Sequence, residues 1–319
     1  MPVLRAAAYR LTVFVATVLV ASVVIFLIVQ ALPGDVAQAT LGMGASQEAV
    51  EALRQQWGLN KPLPLRYVEW LGGMVHGDFG RSYLTGQSVV SQIAPRLAVT
   101  AWLVGLSIPL SLVVAIPMGL VSAMLRRRAD GAIVNAISHI GLAVPVFFSG
   151  TVLAIIFAVK LHWLPANGYV PLRSSFSGWA SHLILPVLAI VLVQGCFLAR
   201  YVRAGFIDVL TEDFYRTARA VGWTRWSGLL RHGMRNMATS LLTVVGLQVA
   251  SLLVGAILVE QVFVLPGLGS LLIQAVSARD LMVVQGVGML LVFAILLINF
   301  LVDLAYLAID PRLARGVRR

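Results

Sequence analysis

The residues with the clearest chemical potential in this chain are arginines. Asp213-Phe214-Tyr215-Arg216-Thr217-Ala218-Arg219-Ala220-Val221-Gly222 precedes Arg231-His232-Gly233-Met234-Arg235-Asn236 in a polar segment from about Arg200 to Asn236. Arginine carried on a short helix hydrogen-bonds strongly to a partner, which suits gripping better than turnover. No catalytic constellation accompanies it. His76, His139, His162, His182 and His232 do not fall at metal-ligand spacing. The two lysines, Lys61 and Lys160, follow no Gly-x-x-x-x-Gly run, so there is no P-loop. If ATP and its magnesium are used, another chain binds them. Gly267-x-Gly269 follows an apolar run with no strand before it, and Pro266-Gly267-Leu268-Gly269 reads as a turn.

A second set of polar groups lies inside apolar runs, where charge is costly. Glu260 reads either as a solvated carboxylate at headgroup level or, with Phe263, as a gate or contact for an outer partner. Asn299 and Asp303 are four apart on one helix face and suit a structural polar pair. His139 is either a packed neutral imidazole or a proton relay. Gln194 and Gln248 suit hydrogen bonds between helices, and Cys196 suits a small buried apolar site.

The elements that must position these groups follow from composition. Of 319 residues 59% are hydrophobic and only 12% charged, about half the usual globular share. The expected fold is all-α and integral to a membrane. A spanning helix needs about 20 apolar residues, and six stretches qualify: Leu11–Leu32, Leu97–Met124, Ile133–Lys160, Leu183–Ala199, Met237–Val264 and Leu281–Ile309. The fourth is the shortest. Met1–Ala31 followed by Ala37-Gln38-Ala39 imitates a signal peptide, but its apolar run is too long, so it is expected to be an uncleaved anchor.

The net charge of +11 is segregated by loop. With the N-terminus inside, inner segments hold sixteen basic residues and outer segments seven. That asymmetry places both termini and the Arg200–Asn236 segment in the cytoplasm, and it reads as membrane orientation rather than nucleic-acid binding. The outer segment Pro33–Arg96 is long enough for a helical insert. Ser46 should cap a helix through Trp57 with Gly58 as its stop, a second helix is expected over Leu65–Met74, and Gly77-Asp78-Phe79-Gly80 reads as a turn.

Within the polar segment, Asp213 should start a helix whose apolar stripe is Phe214, Ala218 and Val221, with Gly222 ending it. Trp226, Leu229, Leu230 and Gly233 form a second stripe flanked by Arg231 and Arg235. Such a helix fits a groove in a cytoplasmic protein. It equally fits anionic lipid.

Arg216-Thr217-Ala218-x-x-x-Gly222, followed by Arg231-His232-Gly233-Met234-Arg235-Asn236, resembles the coupling loop of permease subunits of binding-protein-dependent ABC importers, specifically the B-type permease of the dipeptide/oligopeptide group. Leu32-Pro33-Gly34-Asp35, Gly58-Leu59-Asn60-Lys61-Pro62-Leu63-Pro64, Gly77-Asp78-Phe79-Gly80-Arg81-Ser82, Glu260-x-Val262-Phe263-x-x-Pro266-Gly267-Leu268-Gly269 and Asp310-Pro311-Arg312 agree in order over nearly the whole chain. The broad family opens the loop with Glu-Ala-Ala where this chain has Arg216-Thr217-Ala218. It also places proline where Ser240 stands, so a straighter entry into the fifth span is expected.

The resemblance implies a type I importer permease fold: residues 1–96 as first helix and outer insert, 97–309 as the permease domain with coupling loop 200–236, and 310–319 as a cytoplasmic tail. It implies a non-catalytic subunit of the bacterial inner membrane. Its partners would be a homologous permease, two cytoplasmic ATPase subunits and an extracytoplasmic substrate-binding protein. It assigns coupling to Tyr215, Arg216, Thr217, Ala218, Arg219, Gly222, Arg231 and Arg235. The cargo would be di- or oligopeptides, although nickel chelates, glutathione and haem occur in the same group. A secondary transporter or channel without ATPase partners is the competing class. It predicts more spans and internal pseudo-symmetry, and the chain shows neither.

Overall fold

The structure, a computed structural model, describes residues 2–31, 36–42 and 44–309. Leu32-Pro33-Gly34-Asp35 and the segment from Asp310 lie outside the described residues. The elements in chain order are α1 (Pro2–Ala31), α2 (Val36–Leu41), α3 (Gln47–Gln56), α4 (Leu63–Val75), α5 (Val89–Met124), α6 (Ala129–Ala143) and α7 (Val146–Leu153), which continues as π-helix over Ala154–Lys160. Then come α8 (Phe176–Val209), α9 (Asp213–Ala220), α10 (Arg225–Gly228), a π segment (Leu229–Gly233), α11 (Met234–Val262), α12 (Leu268–Ser277) and α13 (Leu281–Ile309). Among the described residues there is one isolated bridge, between Arg81 and Ser88, and the remaining backbone pairing is helical or within turns, apart from loop contacts such as Gly168 N on the Phe263 carbonyl. Lipid demands this, because it offers no partner for a stray N–H or C=O.

The described chain packs as two compact units, Val3–Val99 with Gly267–Phe300, and Thr100–Pro266 with residues 301–309. The units interleave along the sequence instead of following it linearly. In the first, Ser46 Oγ accepts from Ala49 N at 3.2 Å and caps α3 as expected. α4 begins at Leu63, ahead of the expected Leu65, because proline is tolerated in a first turn. Trp70, Phe26 and Met289 form a buried cluster with Tyr67 at its edge, and Ser22 shares a 2.8 Å hydrogen bond with the Tyr67 hydroxyl. The ten-residue α12 was not expected, since Pro266-Gly267-Leu268-Gly269 reads only as a turn. Just beyond it, buried Asp280 accepts from the Ser82 hydroxyl and from Tyr83 N. Burial holds the Tyr83 phenol above its ordinary value, with Arg66 pulling the other way.

In the second unit α8 is the central element, packing against α6, α7 and α11. Its span was expected to be the shortest, Leu183–Ala199, but the helix has 34 residues. Arg200 does not stop it: the guanidinium lies 5.7 Å from both the Phe197 and Tyr201 ring centres, and arginine is a good helix former. The expected single span Ile133–Lys160 is also corrected. It is two helical arms bent by 101°. Pro145 pushes the preceding Val144 into extended backbone and ends α6. Among the described residues, five helices are long and apolar enough to cross a membrane, six if the bent pair counts as one span.

Backbones come close in this unit. A Cβ on Gly119 would lie 2.5 Å from Val202 Cγ1 and 2.8 Å from the Ala199 carbonyl oxygen. Gly119→Val is therefore expected to cost about 1–3 kcal/mol by overpacking, read as a lowered melting temperature in detergent. In the first unit, Tyr83 has a raised folded pKa, so its stabilising contribution is full below pH 10.0 and is lost as pH rises through the folded value. Tyr83→Phe should flatten the alkaline limb of a stability-against-pH curve.

Candidate docking site

The arginine-rich segment is built at the end of α8. Glu212 is extended, and Asp213 places its charge in the first turn of α9, where the helix dipole favours it. The helix stops as expected at Gly222. There the Trp223 N–H donates to the Ala218 carbonyl and the Gly222 N–H to the Arg219 carbonyl, both at 3.2 Å. This is a Schellman closure. Its glycine has φ +101°, a region that costs any residue with a Cβ.

The faces of α9 differ from the sequence pattern. The predicted stripe of Phe214, Ala218 and Val221 does not pack as a unit: Ala218 is buried, but Phe214 is 38% and Val221 75% exposed. The inner face is Tyr215 and Ala218, three residues apart. Tyr215, expected as a partner contact, is only 6% exposed and belongs to a core with Phe206, Val209, Leu229 and Met237. The reason is register: α9 is eight residues long, and position 215 is the one that meets the end of α8.

The second stripe is split as well. Leu229 and Gly233 are buried, whereas Trp226 and Leu230 are exposed. The π segment explains this, because its wider turn, closed by Met234 N–H on the Leu229 carbonyl, breaks the 3.6-residue register the stripe assumed. From Arg225 to Val262 the helical path is unbroken, passing through the π segment into α11.

The arginines divide in the same way. Arg216 is exposed and forms a 3.3 Å surface pair with Asp213, an interaction of small energetic value. Arg219 donates to the Trp223 carbonyl, and Arg231 sits 5.1 Å from the Trp223 ring centre. Thr217 bonds back to the Asp213 carbonyl at 3.0 Å. The Arg235 side chain lies outside the described residues. Trp223, which touches two of the candidate arginines, was missed, and no spacing in the sequence points to it.

The remaining candidates separate. Glu260 is not solvated: it is fully buried and accepts from Thr100 Oγ1 at 2.6 Å. A buried carboxylate persists only with such donors. Its backbone carbonyl accepts from Leu265 N at 2.8 Å. Phe263 is buried three residues on, near Gly150, and its carbonyl accepts from Gly168 N at 3.1 Å. Asn299 is half-buried and Asp303 exposed on α13. His139, expected to be packed, is exposed on α6. Gln194 is buried and Gln248 half-buried. Cys196 is buried against Gly141, as a small apolar residue would be. Thr100→Val should lower stability by about 1.5–3 kcal/mol, the range for a hydrogen bond to a charged group, and Thr100→Ser should restore it. Thermal unfolding in detergent measures both.

Residues 115–315 match the family described as binding-protein-dependent transport system inner membrane component, and residues 3–104 match the N-terminal region of the same kind of protein. The chain is 41% identical over 303 residues to a putative peptide transport system permease protein of Brucella abortus, covering 95% of this chain and 96% of that one. It is 37% identical over 307 residues to a probable peptide ABC transporter permease of Sinorhizobium fredii, covering 95% and 97%. It is 38% identical over 302 residues to the glutathione transport system permease protein GsiC of Escherichia coli, covering 95% and 96%. In fold it is similar to a chain of the inward-facing MetNI methionine ABC transporter, with a TM-score of 0.54 at 18% identity over 72% of this chain and 98% of that chain.

Proposed function

The chain belongs to the binding-protein-dependent transport system inner membrane component family, and on that footing we propose that it is one of two homologous permeases forming a path for di- or oligopeptides. Two cytoplasmic ATPase subunits drive it, and an extracytoplasmic binding protein supplies the cargo. ATP and magnesium reside on the ATPases. Both termini and the Arg200–Asn236 segment face the cytoplasm, consistent with the bias of basic residues toward those segments.

The observation that carries this reading is the two-sided α9. Its inner face is held by the chain itself, and its outer face leaves Phe214, Val221 and Arg216 uncovered, with Trp226 and Leu230 of the following segment exposed as well. Apolar side chains rimmed by arginine suit a groove in a protein partner. When ATP draws the two ATPases together, α9 is pushed sideways, and the permease pair switches from inward-open to outward-open by rigid-body motion. The peptide assignment rests on relatives named for peptide transport and on GsiC, whose named cargo, glutathione, is itself a tripeptide.

Purification of the tagged chain with its genomic neighbours should bring down an ATPase subunit and a second permease, and proteoliposomes should accumulate labelled dialanine only with ATP and the binding protein present. Gly222→Leu forces φ +101° on a branched side chain. It should cut uptake at least about tenfold while ATP hydrolysis persists, in line with a local strain of roughly 1–2 kcal/mol at the end of α9. Uptake by the chain alone would refute the assignment.

A further inference from the structure

The pattern of burial on α9 raises the question of what Tyr215 does if it cannot touch a partner. Its ring packs among Phe206 and Val209 of α8 and Leu229 and Met237 on the path into α11. Its hydroxyl donates to the Arg225 carbonyl at 3.4 Å. Gly228 faces the ring so closely that a Cβ there would sit 3.5 Å from Tyr215 Cε2. Two further ties run the same way: Arg219 of α9 donates to the Trp223 carbonyl, and the Trp223 ring carries Arg231 of the π segment. Besides the two α8 contacts, the ties to Arg225, Gly228, Leu229 and Met237, and through Trp223 to Arg231, all lead from α9 to one helical path, Arg225 to Val262, which has no break along its length.

We infer that Tyr215 is a positioning residue that fastens α9 to that path, so that α9 and the fifth membrane helix move as one body. This rests on the reading that an ATPase pushes α9, and it adds the route by which the push reaches the membrane. A short helix on a flexible tether would slide or tilt when pushed. One whose inner face is locked into the root of a long helix transmits the displacement along it. The hydroxyl is secondary and the ring primary, because the ring supplies the buried contacts and the hydrogen bond is long.

The test uses the assembled complex in nanodiscs with Cys196→Ala as background. Spin labels at Ala220→Cys and Leu247→Cys report one distance across the joint by double electron–electron resonance; both positions are exposed, and neither is assigned to the docking face. In the otherwise unaltered chain that distance should keep one narrow distribution in the nucleotide-free and ATP-trapped states. Tyr215→Ala should broaden it, and stimulation of ATP hydrolysis by the binding protein should fall at least about fivefold while the ATPases remain bound. Tyr215→Phe should restore both. A distance that shifts between nucleotide states in the chain with native Tyr215 overturns the inference whatever the variants do. So does a Tyr215→Ala complex that keeps both the narrow distribution and full stimulation. A failure of the ATPases to co-purify with the chain carrying native Tyr215 would instead sink the underlying reading.

Discussion

How closely other backbones can approach α8 decides the arrangement of the Thr100–Pro266 unit. Between helices in lipid there is little hydrophobic drive, because the tails are as apolar as leucine, so close van der Waals fit and interhelical hydrogen bonds must hold them. Gly119 against Val202, Gly141 against Cys196 and Ser149 Oγ on the Ala189 carbonyl at 3.0 Å are three such fits, spaced along one helix. They make α8 the most buried of the candidate spans. Because the helix does not end at Ala199, Phe206 and Val209 carry that rigidity out to the segment where α9 sits. The proposed docking segment is therefore an extension of the packing around α8 rather than a loop hung from it.

Hydropathy made the spans legible because burying backbone in lipid leaves few alternatives. α13 has the bounds expected of it, Leu281–Ile309. Errors arose where local chemistry and tertiary packing disagree. Arg200 and Arg203 look like the polar end of a span, yet arginine has high helix propensity and its long stem can lie against aromatic rings. Val144-Pro145 advertises a break but not its size. A proline fixes its own φ and restricts its neighbour, while the 101° between the arms depends on what each arm packs against. α12 escaped because ten apolar residues after Pro266-Gly267 fit a turn and the start of the next span equally well.

The site shows a different limit. Its position, its capping and Gly222 were readable because each depends on a few adjacent residues. Which side faces in was not. Ranking by apolarity selects Phe214 over Tyr215, and a 3.6-residue period groups Trp226 with Leu229. The π segment at Leu229–Gly233 invalidates that period, and nothing in those five side chains announces it. Glu260 failed for a related reason: a carboxylate near a span end looks solvated until Thr100, 160 residues earlier in sequence, is seen to reach it.

An eight-residue helix cannot hold itself together in water, since nucleation alone makes isolated helices shorter than about 12–15 residues marginal. α9 must therefore draw its stability from one face, and that face is unavailable to any partner. Tyr215 and Ala218 meet the first demand, and Phe214, Arg216 and Val221 are left for the second. The Schellman closure at Gly222 keeps the demands separate: it turns the chain sharply enough to bring Trp223 back under Arg219 and Arg231, so that two of the arginines brace the turn while Arg216 stays outward. A longer helix would have relaxed this constraint, but it would also have moved the outward residues away from the root of α11. The shortness of α9 is thus tied to its anchoring, because a helix too short to stand alone is one that its neighbours must hold in place.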